Sequence, residues 1–174
     1  MLIRRERAED VEPIRRVHRE AFDPPAAGEE PVEVALLDAL RADGDLVDPC
    51  CLVAELDREV VGHVAVSHAS VEGAPEARVV GLGPIGVLPA HQGEGVGAAL
   101  MHATLAAADA LGVEGVVLLG HETWYPRFGF TPAAPEGLGP SVPTWPSVNF
   151  MLRRLHAWSG PRGTFHYAPA FARL

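Results

Sequence analysis

Cysteine is scarce. The 174 residues hold two, Cys50 and Cys51, and they are neighbours. Adjacent cysteines do not build a disulfide framework and two thiols alone make a poor metal site, so both are expected to be buried in or beside a strand. No run of about 18 apolar residues could span a bilayer, and the N-terminus, MLIRRERAED, lacks the apolar core of a secretion signal. A cytoplasmic protein with no membrane partner is the expectation. Cations are also few, with 14 Lys+Arg against 23 Asp+Glu and a formal net charge of −9. That balance argues against a general nucleic-acid binder, whose affinity rests on cationic groups against phosphates. An anionic ligand must then be held by local donors, whereas the overall field mildly favours a cationic amine. There is no HExxH motif, and His63 and His68 fall on opposite faces of one strand. His18, His102, His156 and His166 are isolated in sequence, so a metal-free protein is expected.

The chain is long enough for one domain with a real core. It is expected to form a single domain over 1–174, with a core of about 2–155 and a C-terminal extension, 156–174. Residues 2–7 can form a strand. Val11, Ile14, Val17 and Ala21 recur at helical spacing, and a second helix over about 30–42 carries Leu36, Leu37 and Leu40 before the turn Asp43-Gly44-Asp45. CLVAEL and VVGHVAVSHASV, parted by Asp57-Arg58-Glu59, read as an antiparallel hairpin. VVGLGPIGVL is a fourth strand. A long helix follows with Val96, Leu100, Ala103, Ala107 and Leu111 on one stripe and Gly112 as its C-cap. VEGVVLLG has the fully apolar pattern of a strand in a parallel pairing. Later strands are expected at Val148–Leu155 and near Thr164–Ala168. The order β-α-α-β-β-β-α-β-α-β defines an α/β or α+β fold.

The stretch VLPAHQGEGVGAALM, residues 87–101, sets a question. Glycine inside a helix costs roughly 0.5–1 kcal/mol relative to alanine, yet Gly93, Gly95 and Gly97 open a helix. A nucleotide P-loop would need lysine and then Ser or Thr after its last glycine, and here Ala98-Ala99 follow. Gly93-x-Gly95-x-x-Ala98 matches a dinucleotide fingerprint in spacing, but Pro89-Ala90-His91-Gln92 intervenes after the strand and no second βαβ unit follows. Close strand–helix packing would also account for the glycines. A fourth reading joins strand, loop and helix: successive N–H groups at a helix N-terminus bind phosphate oxygens without lysine. Gly81, Gly83, Pro84 and Gly86 support it, because a strand holding proline is at an edge, bulged or open on one side.

These residues resemble the GNAT superfamily of acyl-CoA-dependent N-acetyltransferases. Gln92-Gly93-Glu94-Gly95-Val96-Gly97 is similar to its Gln/Arg-x-x-Gly-x-Gly/Ala signature, and Tyr125-Pro126-Arg127-Phe128-Gly129-Phe130 to its Tyr-x-x-x-Gly-Phe. LLGHETWYPRFGF, EVALLDALR and the TFHYAPAF ending resemble the YhbS-like branch. The resemblance implies a GNAT-like mixed α/β fold: a mostly antiparallel central sheet flanked by helices, with one splayed parallel pair, strands 4 and 5. It implies acetyl-CoA as acyl donor, its pantetheine arm against the backbone of Ile85, Gly86 and Val87. Its diphosphate would lie on the N–H groups of Gln92, Gly93, Glu94, Gly95, Val96, Gly97 and Ala98. It places Tyr125 as general acid to the leaving thiolate and the strand N–H near Val87 as the oxyanion contact. Many family members carry an asparagine just after the fifth strand, where this chain has Gly120-His121-Glu122.

An ammonium acceptor must lose a proton before it attacks, and no motif names the base. If Val71 pairs with Val79, His63 lies across from Val87; Glu33 matches an acidic position of the YhbS-like branch beside the acceptor groove. Either residue is a candidate base, and each also has an ordinary reading, as a sheet residue or a solvated charge. The expected reaction is direct transfer of acetyl to a primary amine without a covalent intermediate. The alternative is a non-catalytic coenzyme A-binding sensor or interaction module. The acceptor, a small molecule or a peptide amine, is not written in the sequence, and a homodimer is one expectation for the assembly.

Overall fold

The computed structural model describes residues 1–24 and 26–173. Strand β1 (Leu2–Arg5) is followed by helices α1 (Val11–Ala21) and α2 (Val32–Asp43), then by β2 (Leu52–Leu56), β3 (Glu59–Glu72) and β4 (Val79–Val87). Helix α3 (Val96–Ala110) leads to β5 (Gly115–Leu119), β6 (Thr131–Pro132), β7 (Leu138–Pro140), β8 (Phe150–Arg154) and β9 (Gly163–Tyr167). The sheet runs β1-β2-β3-β4-β5-β8-β6, and β9 pairs with both β3 and β7.

Beginning at Gly115, β5 pairs parallel with β4, as the apolar run VEGVVLLG and the intervening helix require. The structure adds a second parallel pairing, β7 with β9. Strand β3 is buried over Val60–Ser67 because α1 packs on one face and α3 on the other. The β2–β3 hairpin turns on Asp57 (φ 47) and Arg58 (φ 71), the left-handed pair that a two-residue turn demands. Gly44 (φ 73) ends α2. The tail expected as an extension is built in: Ala69–Glu72 of β3 pair with β9, and Phe165 is fully buried.

Two expectations change. The buried face of α3 is Val96, Leu100, Met101, Thr104, Leu105 and Ala108, while Leu111 is 39% exposed because it lies past the last helical turn. The helix expected between the fifth and last strands is one 3-10 turn, Tyr125–Phe128. Pro126 removes a donor there, and Gly129 (φ 80) turns the chain out after four residues.

Candidate active site

The β4–β5 ladder holds three residue pairs, Val79–Gly115, Val80–Val116 and Gly81–Val117, and then stops. Beyond it the Tyr167 ring lies over Gly81, where a β-carbon would come 2.6 Å from the ring, and the Tyr167 hydroxyl accepts the Leu119 N–H. Pro84 cannot donate, and the β3–β4 register shifts opposite it, between Val64 and Val66. The register then resumes as Val64–Ile85, His63–Gly86 and Gly62–Val87. Leu88 N–H bonds Val61 O at 2.9 Å. Antiparallel alternation therefore commits the backbone of Gly86 to β3 and turns the N–H and C=O of Ile85 and Val87 toward the gap. Gln92 Nε2 donates to Val87 O at 3.0 Å, tying the loop to the strand end.

Across the gap stands the front of α3. Its N-cap, Gly95 (φ 86), offers no side-chain cap, so the first N–H groups of the helix are free of protein side-chain acceptors. Gly93 (φ 79) is also left-handed, and a β-carbon on either glycine would meet nothing within 4 Å. Side chains there would project into the space an anion needs. Glu94 is exposed and turns aside to His91, with Oε2 3.2 Å from Nδ1. Gly97 packs near Trp124, which would lie 3.5 Å from a β-carbon. Together with Val87, Ala98 and the exposed Arg127 these residues line a cavity of about 590 Å³. Its glycine arc and uncapped amides fit a diphosphate.

A second cavity, about 320 Å³, opens on the other side of Tyr125. The two share Phe22, Ile85, His121 and Tyr125. The Tyr125 ring is held edge-on by Trp124 and Phe130 and sits against Gly120, where a β-carbon would come 2.1 Å from Cε2. Burial pushes its hydroxyl up to about 12, so it is a donor at neutral pH. The asparagine missing after β5 is supplied from elsewhere. Asn149 Nδ2 donates to Gly120 O at 2.9 Å, and Gly120 N–H donates to Asn149 O at 2.9 Å.

The two candidate bases separate. Glu33 lines the second cavity. His63 does not face Val87: the register differs by two from the expected Val71–Val79 pairing before the bulge and by one after it, so His63 pairs with Gly86 and points to α1, fully buried. His18, isolated in sequence, is its partner, with Nε2 2.8 Å from His63 Nδ1, and His63 Nε2 lies 2.8 Å from Glu6 Oε2. A carboxylate only accepts, so His63 donates from Nε2, His18 donates to His63, and His18 Nδ1 is left as a lone pair without a partner among the described residues. The His18 edge lies 3.2 Å from where a Gly86 β-carbon would stand, and Phe22 stacks on its ring. Sequence spacing gave no sign of this chain, nor of Phe22 as a cavity wall. The TFHYAPAF ending touched Tyr167 and Phe171, and Trp145 lies in the proline-rich stretch 132–146, whose place in the sequence is that of the acceptor side. Among the described residues, no group of three His, Cys, Asp or Glu side chains is placed to hold a metal ion. No helix among them is long and apolar enough to cross a membrane.

Residues 48–132 match the acetyltransferase (GNAT) domain family. Over all of both chains, the sequence is 34% identical to YhbS of Escherichia coli K12, an uncharacterized N-acetyltransferase. The crystal structure of E. coli YhbS in complex with CoA superposes with a TM-score of 0.89 at 33% identity, covering 99% of this chain and 92% of that one. A GNAT family acetyltransferase from Brucella melitensis in complex with acetyl-CoA gives 0.79 at 38% identity, covering 98% and 97%. The chain belongs to the GNAT acetyltransferase family.

Proposed function

We propose that the protein transfers an acetyl group from acetyl-CoA to a primary amine, with Tyr125 at the point of transfer. The observation that carries this reading is the meeting of two cavities on Tyr125, His121, Phe22 and Ile85, beside a strand edge with unpaired amides. The relatives solved with CoA and acetyl-CoA support the same donor.

Bound acetyl-CoA supplies the acetyl group as a thioester. The N–H groups from Gly93 to Ala98 hold its diphosphate, aided by the positive end of the α3 dipole, whereas the Gln92 N–H, expected in the same arc, donates to Pro89 O at 3.3 Å. Ile85 and Val87 present main-chain groups to its pantetheine arm as an added strand would. The Val87 N–H is aimed where negative charge develops on the acyl oxygen. Tyr125 assists the departing sulfur. Its hydroxyl, near 12, is a weaker acid than a thiol of ~8.5, so it acts by donating a hydrogen bond as the thiolate forms. Glu33 faces the acceptor side and draws the ammonium, and it is the better placed of the two candidate bases because His63 is sealed beneath the sheet. Cys50 and Cys51 take no part.

Thiol release from acetyl-CoA across a panel of amines tests the reading. Tyr125→Phe should lower kcat about 100-fold and leave acetyl-CoA affinity unchanged by calorimetry. Tight acetyl-CoA binding with no release from any amine would favour a non-catalytic coenzyme A-binding module instead.

A further inference from the structure

We infer that the acceptor is a small primary amine on an apolar body free of anionic groups, with an arylalkylamine of about one ring as the best fit. This deepens the acetyl-transfer reading of the same site and rests on it. The second cavity, about 320 Å³, is at the lower end of the ~300–1,000 Å³ that small-molecule sites span. Its walls are aromatic. Trp145, Tyr167 and Phe171 stand on the C-terminal side, with ring centroids 5.9 Å apart for Trp145–Tyr167 and 4.5 Å for Tyr167–Phe171, and Phe22 and Leu36 face them.

Among the described residues that line the cavity, Glu33 is the only carboxylate and His121 the only basic side chain; no arginine lines it, and the chain contains no lysine. Nearby acids on the α1–α2 face are paired, Glu30 with Arg15 and Arg19 and Asp38 with Arg15. Glu33 has no cation partner among the described residues. A lone half-buried carboxylate at an aromatic cavity attracts an ammonium, and the ring faces stabilise the cation and cover the body that carries it. A carboxylate or phosphate on the acceptor would lose its water, find no arginine or lysine to answer it and meet Glu33. Amino acids with a free carboxylate and phosphorylated amines are therefore disfavoured. The Tyr167 hydroxyl accepts the Leu119 N–H and brings no positive charge to the cavity.

The pair 2-phenylethylamine and phenylalanine isolates the argument, because they differ by one carboxylate. Calorimetry should show 2-phenylethylamine binding the chain and phenylalanine binding far more weakly. In thiol-release assays with acetyl-CoA, kcat/KM should favour 2-phenylethylamine by about 100-fold. Trp145→Ala should raise its KM about tenfold with kcat and acetyl-CoA affinity little changed. The wild-type comparison stands even if that variant does not fold. Equal or better use of phenylalanine, spermidine or a lysine peptide overturns the inference while leaving acetyl transfer intact. Preferential 2-phenylethylamine binding with no thiol release from any amine overturns the acetyl-transfer reading, and the amine is then a ligand of the cavity and not an acceptor. Failure of 2-phenylethylamine to bind at all overturns the inference outright.

Discussion

The cavity along the front of α3 draws most of its wall from two short stretches, 85–98 and 121–127, whereas the one beyond Tyr125 gathers Phe22, Glu33, Leu36, Trp145, Tyr167 and Phe171 from four separate parts of the chain. The first is largely a backbone site. Its working groups are amides released by a bulged strand and by glycines at a helix start. The second is a side-chain site, and of the wall residues just named all but Tyr167, which belongs to β9, lie outside the strands and could change without disturbing the sheet. A fold can thus keep its donor while its acceptor drifts, since the grip on the donor is part of how the chain turns and the fit to the acceptor is not.

The comparison breaks hardest if the donor side can be ruined by one β-carbon. Gly95→Val places a branched side chain at φ 86, in the space before the helix amides. Left-handed strain costs about 1–3 kcal/mol, and the side chain fills the proposed cradle. Acetyl-CoA affinity by calorimetry should fall about 100-fold or more, with the helical circular dichroism kept. Unchanged affinity would mean that the diphosphate lies elsewhere.

Sequence legibility follows the same division. Gly93, Gly95, Pro84 and the apolar β5 each carry a local reason for their backbone, and the local reason can be read residue by residue. The parallel β4–β5 pair and the opening after Gly81 were accessible in that way. Two things were not. The β3–β4 register depends on how the bulge at Pro84 absorbs a residue, and an offset of one moved His63 from the groove to the core. The acceptor walls depend on where β9 lands, and neither Tyr167 nor Trp145 carries a local mark of facing Tyr125. Asn149 likewise reaches Gly120 only through the β5–β8 pairing.

The junction itself is sharpened by Gly120→Ala. The new methyl would lie 2.1 Å from Tyr125 Cε2, so the ring must move although its hydroxyl remains. Misplacement of about an ångström can cost 10²-fold in rate, so kcat should fall about 10–100-fold with little change in acetyl-CoA affinity. Combined with Tyr125→Phe, the losses should not add, because both act through one hydroxyl. Full additivity would detach the ring position from the chemistry.

A smaller effect lies under the sheet. Burial, then the charges of His63 and Arg41, hold His18 well below 6.5, and burial lowers His63 as well despite its bond to Glu6. Unfolded histidines take up protons near 6.5 while these two resist, so stability is complete above that pH and declines as pH falls. Between pH 7 and 5.5 the loss should be about 1–2.5 kcal/mol, or about 3–10 °C in Tm. His18→Phe should flatten the slope. A Tm constant over that range would show the pair taking up protons in the fold just as in the unfolded chain. Because Phe22 stacks on His18 and lines both cavities, acid should loosen the junction before the donor arc.

The smallest effect concerns Cys50 and Cys51, which are fully buried. Burial raises the thiols to about 11 and about 12, and Cys51 Sγ lies 3.4 Å from both N and O of Val66. At pH 8 roughly one Cys50 in a thousand would be thiolate even before access is considered. Neither should react with iodoacetamide until the protein unfolds, and acetyl transfer should be unchanged after such treatment. Rapid labelling of the folded chain, with loss of turnover that acetyl-CoA prevents, would bring a covalent acyl-cysteine route back and remove the need for direct attack at Tyr125.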